Sequence, residues 1–280
     1  MTSWPAAARP VELNAAAAHA LGSGTVFFLG DSVSLQHFRA LSCELGIDRE
    51  VPVTALGPSF RHFRLNATCA IRRDASMPGG TCHITAGMGV SDVPTAEACS
   101  TLASSGVLTP ADIVVANEGL WHRALSSASA ERTELARVSM FASNDSCVHS
   151  LRKASVPLLW RETSAQHFAR SPTGQYNALC KAAKTRSACG GCGPIQNSSS
   201  LEVLNAAVSA RMRELGVAVL PFFAPTVPRW NAHLAHRRSS VSEALQPLDC
   251  THWCEPSTVF APLTPLMLRA RARMAPSAAR

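Results

Sequence analysis

A serine hydroxyl is a poor nucleophile until a base stands within hydrogen-bonding reach. In this chain Ser32 follows the apolar run Thr25-Val26-Phe27-Phe28-Leu29 across Gly30-Asp31. From Val33 to Leu45, residues Leu35, Phe38, Leu41 and Leu45 recur at helical spacing, which places the serine on a strand-to-helix turn. Its hydroxyl would stand above a sheet, and its own N–H would open a helix, an arrangement suited to an oxyanion. The matching base lies far along the chain, in Leu248-Asp249-Cys250-Thr251-His252-Trp253-Cys254. Asp249 precedes His252 by three residues. One turn can therefore bring carboxylate to imidazole, fix its tautomer and stabilise the imidazolium during proton transfer. Cys250 and Cys254 would pin that loop. The competing roles are plain ones: a helix N-cap for Ser32, and disulfide-held loop residues for Asp249 and His252.

The elements that must position these groups follow from hydrophobic patterning. Asp112-Ile113-Val114-Val115-Ala116-Asn117, Val156-Pro157-Leu158-Leu159-Trp160 and Val217-Ala218-Val219-Leu220 read as further buried strands. Helical periodicity covers Glu131 to Ser150 and Leu201 to Leu215, the latter with Leu201, Leu204, Val208, Met212 and Leu215 on one side. Alternating strands and helices predict an α/β fold, a mostly parallel sheet with helices on both faces. Positions 46 to 110, interrupted by prolines and glycines, are expected to hold short strands and loops stapled by disulfides. In open α/β sheets ligands collect at the carboxyl ends of the strands. Asp31, Ser32, Asn117, Arg161 and Ser164 all follow apolar runs there.

Of 280 residues, 46% are hydrophobic and 16% charged, enough apolar surface for a large core and against wholesale disorder. Residues 1–23 are expected to be a poorly ordered extension or linker, and 24–280 a single catalytic domain. The net charge of +7 is scattered over the chain, so it reads as a solvated surface first and an acidic-glycan preference second; no nucleic-acid partner is expected. Ten cysteines spread along the chain point to disulfides in an oxidising compartment. Sequons at Asn66, Asn144 and Asn197 are compatible with it. Met1 to Ser23 shows no convincing signal peptide, and no stretch approaches a membrane span.

Four segments stand out: Gly30-Asp31-Ser32 through Cys43, Asp112 to Trp121 (DIVVANEGLW), Arg161 with Ser164, His167 and Phe168, and Asp249 to Pro256 (DCTHWCEP). Together they resemble the PC-esterase and trichome-birefringence-like polysaccharide O-acetyltransferases of the SGNH/GDSL hydrolase-like superfamily. Departures from the family pattern are Glu162, Ala165 and Glu255. The resemblance implies a three-layer αβα sandwich, an acetyl-serine intermediate and transfer to a sugar hydroxyl, usually in the Golgi, or hydrolysis in esterase members. Under it, Ser32, Asp249 and His252 form the catalytic set. The oxyanion would rest on the Ser32 N–H, the Asn117 amide and a glycine N–H from Gly87 or Gly89. Asp31, Arg161, Trp121 and Trp253 are the candidate substrate-binding residues. No bound cofactor is expected; an acetyl donor is the co-substrate and a carbohydrate the acceptor.

Two readings from other classes compete. Cys189 and Cys192 have zinc-ligand spacing, which Cys250, His252 and Cys254 would complete. A non-catalytic glycan-binding relative would keep the fold without the chemistry. Within the enzymatic reading, His167 is expected to be structural, and Arg161 would either bind substrate or pair a buried acid.

Overall fold

The computed structural model describes residues 17–47, 50–52, 65, 67–71, 79–86, 94–118, 141, 146–175, 191–197, 200–233, 249–253 and 259–274. Seven strands form one sheet: β1 (Thr25–Gly30), β2 (Glu50–Pro52), β3 (Ala67–Ile71), β4 (Gly80–Thr85), β5 (Ile113–Ala116), β6 (Leu158–Arg161) and β7 (Ala218–Leu220). Their order is β2-β3-β4-β1-β5-β6-β7. From β4 to β7 all neighbours are parallel, while β2 and β3 add an antiparallel edge. The central strand β1 is buried along its whole length, as expected for a strand covered on both faces.

Period-two alternation divides the core between those faces. Phe27 and Leu29 point into one cluster with Val114, Trp160, Leu102, Leu151, Leu204 and Met212. Val26 and Phe28 point into the other, with Val115, Leu159, Phe38, Leu41 and Met267. Accordingly α1 (Ser32–Glu44) lies on one side of the sheet with the C-terminal helix, Leu263–Met274. On the opposite side lie α2 (Thr95–Ser104), α3 (Cys147–Lys153) and α4 (Ser200–Glu214). The result is a mixed α/β, three-layer arrangement.

Several elements depart from the patterning. The helix expected over Glu131 to Ser150 begins at Cys147, capped by Ser146 accepting from the His149 N–H, and runs to Lys153; residues 121–140 and 142–145 lie outside the described residues. Within the expected loop region, Thr95–Ser104 is helical. Residues 17–21 are helical too, with Ala17 and Leu21 buried in the second core, so the packed structure starts before the boundary drawn at 23. Residues 1–16 are not described.

Three disulfides occur among the described residues: Cys69–Cys82 across the antiparallel β3/β4 pair, Cys99–Cys147 joining α2 to α3, and Cys192–Cys250. They indicate an oxidising environment. Cys43 is a free thiol, and Cys180, Cys189 and Cys254 lie outside the described residues. No helix among the described residues is long and apolar enough to cross a membrane.

Candidate active site

The strand order turns about β1. Its C-terminus leads into α1 on one face, and the neighbours on its two sides, β4 and β5, are reached by separate excursions of the chain. A crevice at such a switch point is where open α/β sheets place their ligands. Gly30 makes the corner possible. Its φ of +150° is one L side chains rarely adopt, and a Cβ there would meet Ser34 Oγ at 2.5 Å and the Asn117 carbonyl at 2.7 Å. Asp31 then caps α1, its Oδ1 accepting from the Val33 and Ser34 N–H groups at 2.9 and 3.3 Å. Since Asp31 is the cap, Ser32 becomes the first helical residue, with its side chain partly exposed.

The other half of the site comes from 249–253. Asp249 folds its own turn: Oδ1 accepts from the Thr251 and His252 N–H groups at 3.1 and 2.9 Å. This frees Oδ2 to meet His252 Nδ1 at 2.7 Å, and His252 Nε2 lies 2.6 Å from Ser32 Oγ. Because the carboxylate only accepts, Nδ1 carries the proton and Nε2 is left to accept the Ser32 hydroxyl. Asp249 and His252 are each about one-third exposed, so both are open to solvent. Burial pushes the Asp249 carboxyl up. Its hydrogen bond to and charge interaction with His252, with the two N–H donors of its turn, outweigh that and leave it below the ordinary carboxylate value.

Several ties hold this loop, among them Gln166 Nε2 donating to Thr251 Oγ1 at 3.0 Å and the His167 N–H donating to the Cys250 carbonyl at 3.1 Å. Cys250 is bonded to Cys192. Gln36, one turn along α1 from Ser32, donates to the Trp253 carbonyl at 2.7 Å and accepts from the Trp253 N–H at 3.0 Å. His233 Nδ1 lies 2.9 Å from the His252 carbonyl.

The candidate substrate contacts fare differently. Arg161, at 1% exposure, lies beneath the serine corner rather than facing a ligand. Its Nη2 donates to Asn117 Oδ1 at 2.8 Å and to Ser34 Oγ at 3.1 Å, Nη1 reaches the Val33 carbonyl at 3.4 Å, and the guanidinium stacks over Phe222. Burial lowers its pKa to about 10, partly offset by Asp31. Asp31 is equally buried and cannot touch substrate. Burial raises its pKa, opposed first by Arg161 and then by the two capping N–H groups. Trp253 is fully buried, stacked on His233 at 4.0 Å between ring centroids, so it offers no face to a sugar.

Asn117 also departs from its expected role. Its Nδ2 donates to the Arg161 carbonyl at 2.9 Å and to Thr163 Oγ1 at 3.1 Å, which uses both amide hydrogens on the interior of the fold. Of the oxyanion donors expected, the Ser32 N–H remains, at the opening of α1. Gly87, Gly89 and Trp121 lie outside the described residues. For the zinc reading, Cys192 and Cys250 are joined to each other, which removes both as thiolate ligands.

Two residues were missed in the sequence. Glu162 ties β6 to its neighbours: one carboxylate oxygen accepts from the Phe222 and Phe223 N–H groups at 3.0 and 3.2 Å, the other from Ser209 Oγ. His233 lies in a stretch without periodicity. It meets His167, expected to be structural and indeed fully buried, with His167 Nδ1 2.7 Å from His233 Nε2.

No family model matches the chain, and no curated protein matches its sequence. Among solved structures, a peptidoglycan O-acetylesterase superposes over 97% of both chains at 10% identity and a TM-score of 0.44. A protein assigned as an arylesterase, from Agrobacterium tumefaciens str. C58, covers 90% of this chain and 99% of its own at 13% identity and 0.40. The OSK domain of Drosophila Oskar covers 86% of each at 9% identity and 0.38.

Proposed function

We propose that the chain is a serine-dependent O-acyl enzyme that transfers an acetyl group to carbohydrate hydroxyls through an acyl-Ser32 intermediate. The observation that carries this reading is the unbroken sequence of contacts from Ser32 Oγ to His252 Nε2 at 2.6 Å and from His252 Nδ1 to Asp249 Oδ2 at 2.7 Å. Three side chains of these types in this order, partly open to solvent, do more than cap a helix.

In the first half-reaction Ser32 Oγ attacks the donor's acyl carbonyl while its proton passes to His252 Nε2. Asp249 stabilises the imidazolium, and the Ser32 N–H at the opening of α1 faces the developing oxyanion. Collapse breaks the acyl–oxygen bond, and His252 returns the proton to the leaving alcohol. In the second half an acceptor hydroxyl gives its proton to His252 and attacks the acyl-serine, restoring the free Ser32 hydroxyl. A sugar makes the enzyme a transferase; water makes it an esterase. No bound cofactor is needed, since the acetyl donor brings the activated acyl group. The resemblance to the PC-esterase and trichome-birefringence-like enzymes favours a polysaccharide acceptor and a Golgi setting, and the disulfides suit the latter.

Turnover of an aryl acetate should be lost by at least about a thousandfold in Ser32→Ala and His252→Ala, both folded by circular dichroism. Intact-protein mass after donor exposure should show one acetyl on Ser32, discharged by the acceptor oligosaccharide. Full activity in Ser32→Ala would overturn the assignment.

A further inference from the structure

His167 and His233 present a proton-counting problem. His233 Nδ1 faces the His252 carbonyl at 2.9 Å, and His167 Nε2 faces the Val227 carbonyl at 2.8 Å. A carbonyl only accepts, so each of these nitrogens must carry a proton. A neutral imidazole has just one, and both rings have now spent theirs at the outer ends. Yet the inner nitrogens, His167 Nδ1 and His233 Nε2, lie 2.7 Å apart. Two bare lone pairs would repel at that distance. A chain of amphoteric links that ends in acceptors on both sides closes only if one extra proton sits in the middle.

We propose that His167 and His233 share that third proton, forming a buried cationic imidazole pair that anchors the His252 carbonyl and so positions the histidine that activates Ser32. The inference rests on the reading of His252 as the base. The surroundings suit a cation. The indole of Trp253 stacks on His233 at 4.0 Å and 23°, and meets His167 edge-on at 5.9 Å. Burial works in the other direction and lowers the pKa of His167, with the Val227 carbonyl opposing it. Among the described residues, the ionisable groups nearest the pair along the segments enclosing it are Asp249 and His252 on the loop, Arg170 beyond His167, and Arg229 between Val227 and His233. Both arginines are exposed, so solvent screens their repulsion.

His167 and His233 are therefore positioning residues, acting through the backbone of His252. When the extra proton leaves, the inner nitrogens repel, the rings part and the tie to the loop slackens. Activity should then decline on the alkaline side in kcat rather than KM. Nitrogen-15 histidine NMR of the full chain at neutral pH should show a bridging proton far downfield, shared by the two inner nitrogens. Two neutral rings, each with one bare nitrogen, would overturn the proposal. His233→Leu should lower kcat roughly ten- to hundredfold at constant KM, and His233→Gln, whose amide can still donate to the His252 carbonyl, should restore most of it. His167→Gln supplies a neutral donor to His233 and should flatten the alkaline limb; an unaltered pH profile counts against the proposal. If the wild type shows no acyl turnover, the enzymatic reading fails, while the NMR count still decides the state of the pair.

Discussion

The two halves of the site are held by different kinds of structure. Ser32 stands on a corner defined by the central strand, fixed by a glycine that tolerates no Cβ and braced from below by Arg161, Asn117 and Ser34. The 249–253 loop belongs to none of the seven strands and is held by a disulfide, by Gln36 and Gln166, and by His167 and His233. Damage to the first half should spread into the fold, because its brace is buried in the sheet. Damage to the second should stay local and appear in catalysis first.

The largest effect expected on stability is at the brace. Arg161→Met leaves Asp31 buried without its counter-charge, which should cost about 3–5 kcal/mol in urea unfolding at neutral pH. The loss should shrink in acid, since the Asp31 pKa is already raised and its protonated form needs no cation. Opening the Cys192–Cys250 bridge by a double serine substitution should cost less, about 2–4 kcal/mol, but should lower kcat roughly tenfold or more on an aryl acetate. If it left turnover intact, the loop would not depend on its staple and the contrast would fail. The smallest effect is at His37 on α1, held between Phe28 and Phe260 with neither ring nitrogen hydrogen-bonded. Burial, then Arg161, holds its pKa well below the usual imidazole value. The unfolded chain takes up this proton and the folded chain does not, so stability falls as pH drops below about 6.5. His37→Phe should remove about 1 kcal/mol of that acid sensitivity, measured as the difference between unfolding midpoints at neutral and mildly acidic pH.

The same contrast explains what the sequence disclosed. The strand-to-helix corner was readable because apolar runs announce strands, and a Gly-Asp-Ser after one marks a turn at the sheet's carboxyl edge. That Asp249 and His252 would meet Ser32 was readable only through motif spacing. Direction was the missing quantity. Asp31, Asn117, Arg161 and Trp253 all sit at strand ends or beside the loop, where sequence reasoning expects contact with ligand. Each turns inward, because a glycine corner above a closed sheet leaves buried polar groups that must be satisfied from within. His233 gave no signal, since its importance lies in two ring contacts and a backbone carbonyl that no periodicity encodes. Helix α2 escaped notice because Thr95–Ser104 is built mostly of small residues, with Leu102 the one large apolar side chain.

Gln36 has a further consequence. It lies one turn beyond Ser32 on α1 and grips the peptide of Trp253, the immediate neighbour of His252. Alcohol and imidazole thus ride on a common chassis. If that helix tilts or slides against the sheet, both partners travel together, and their separation is insulated from the breathing of the strands beneath.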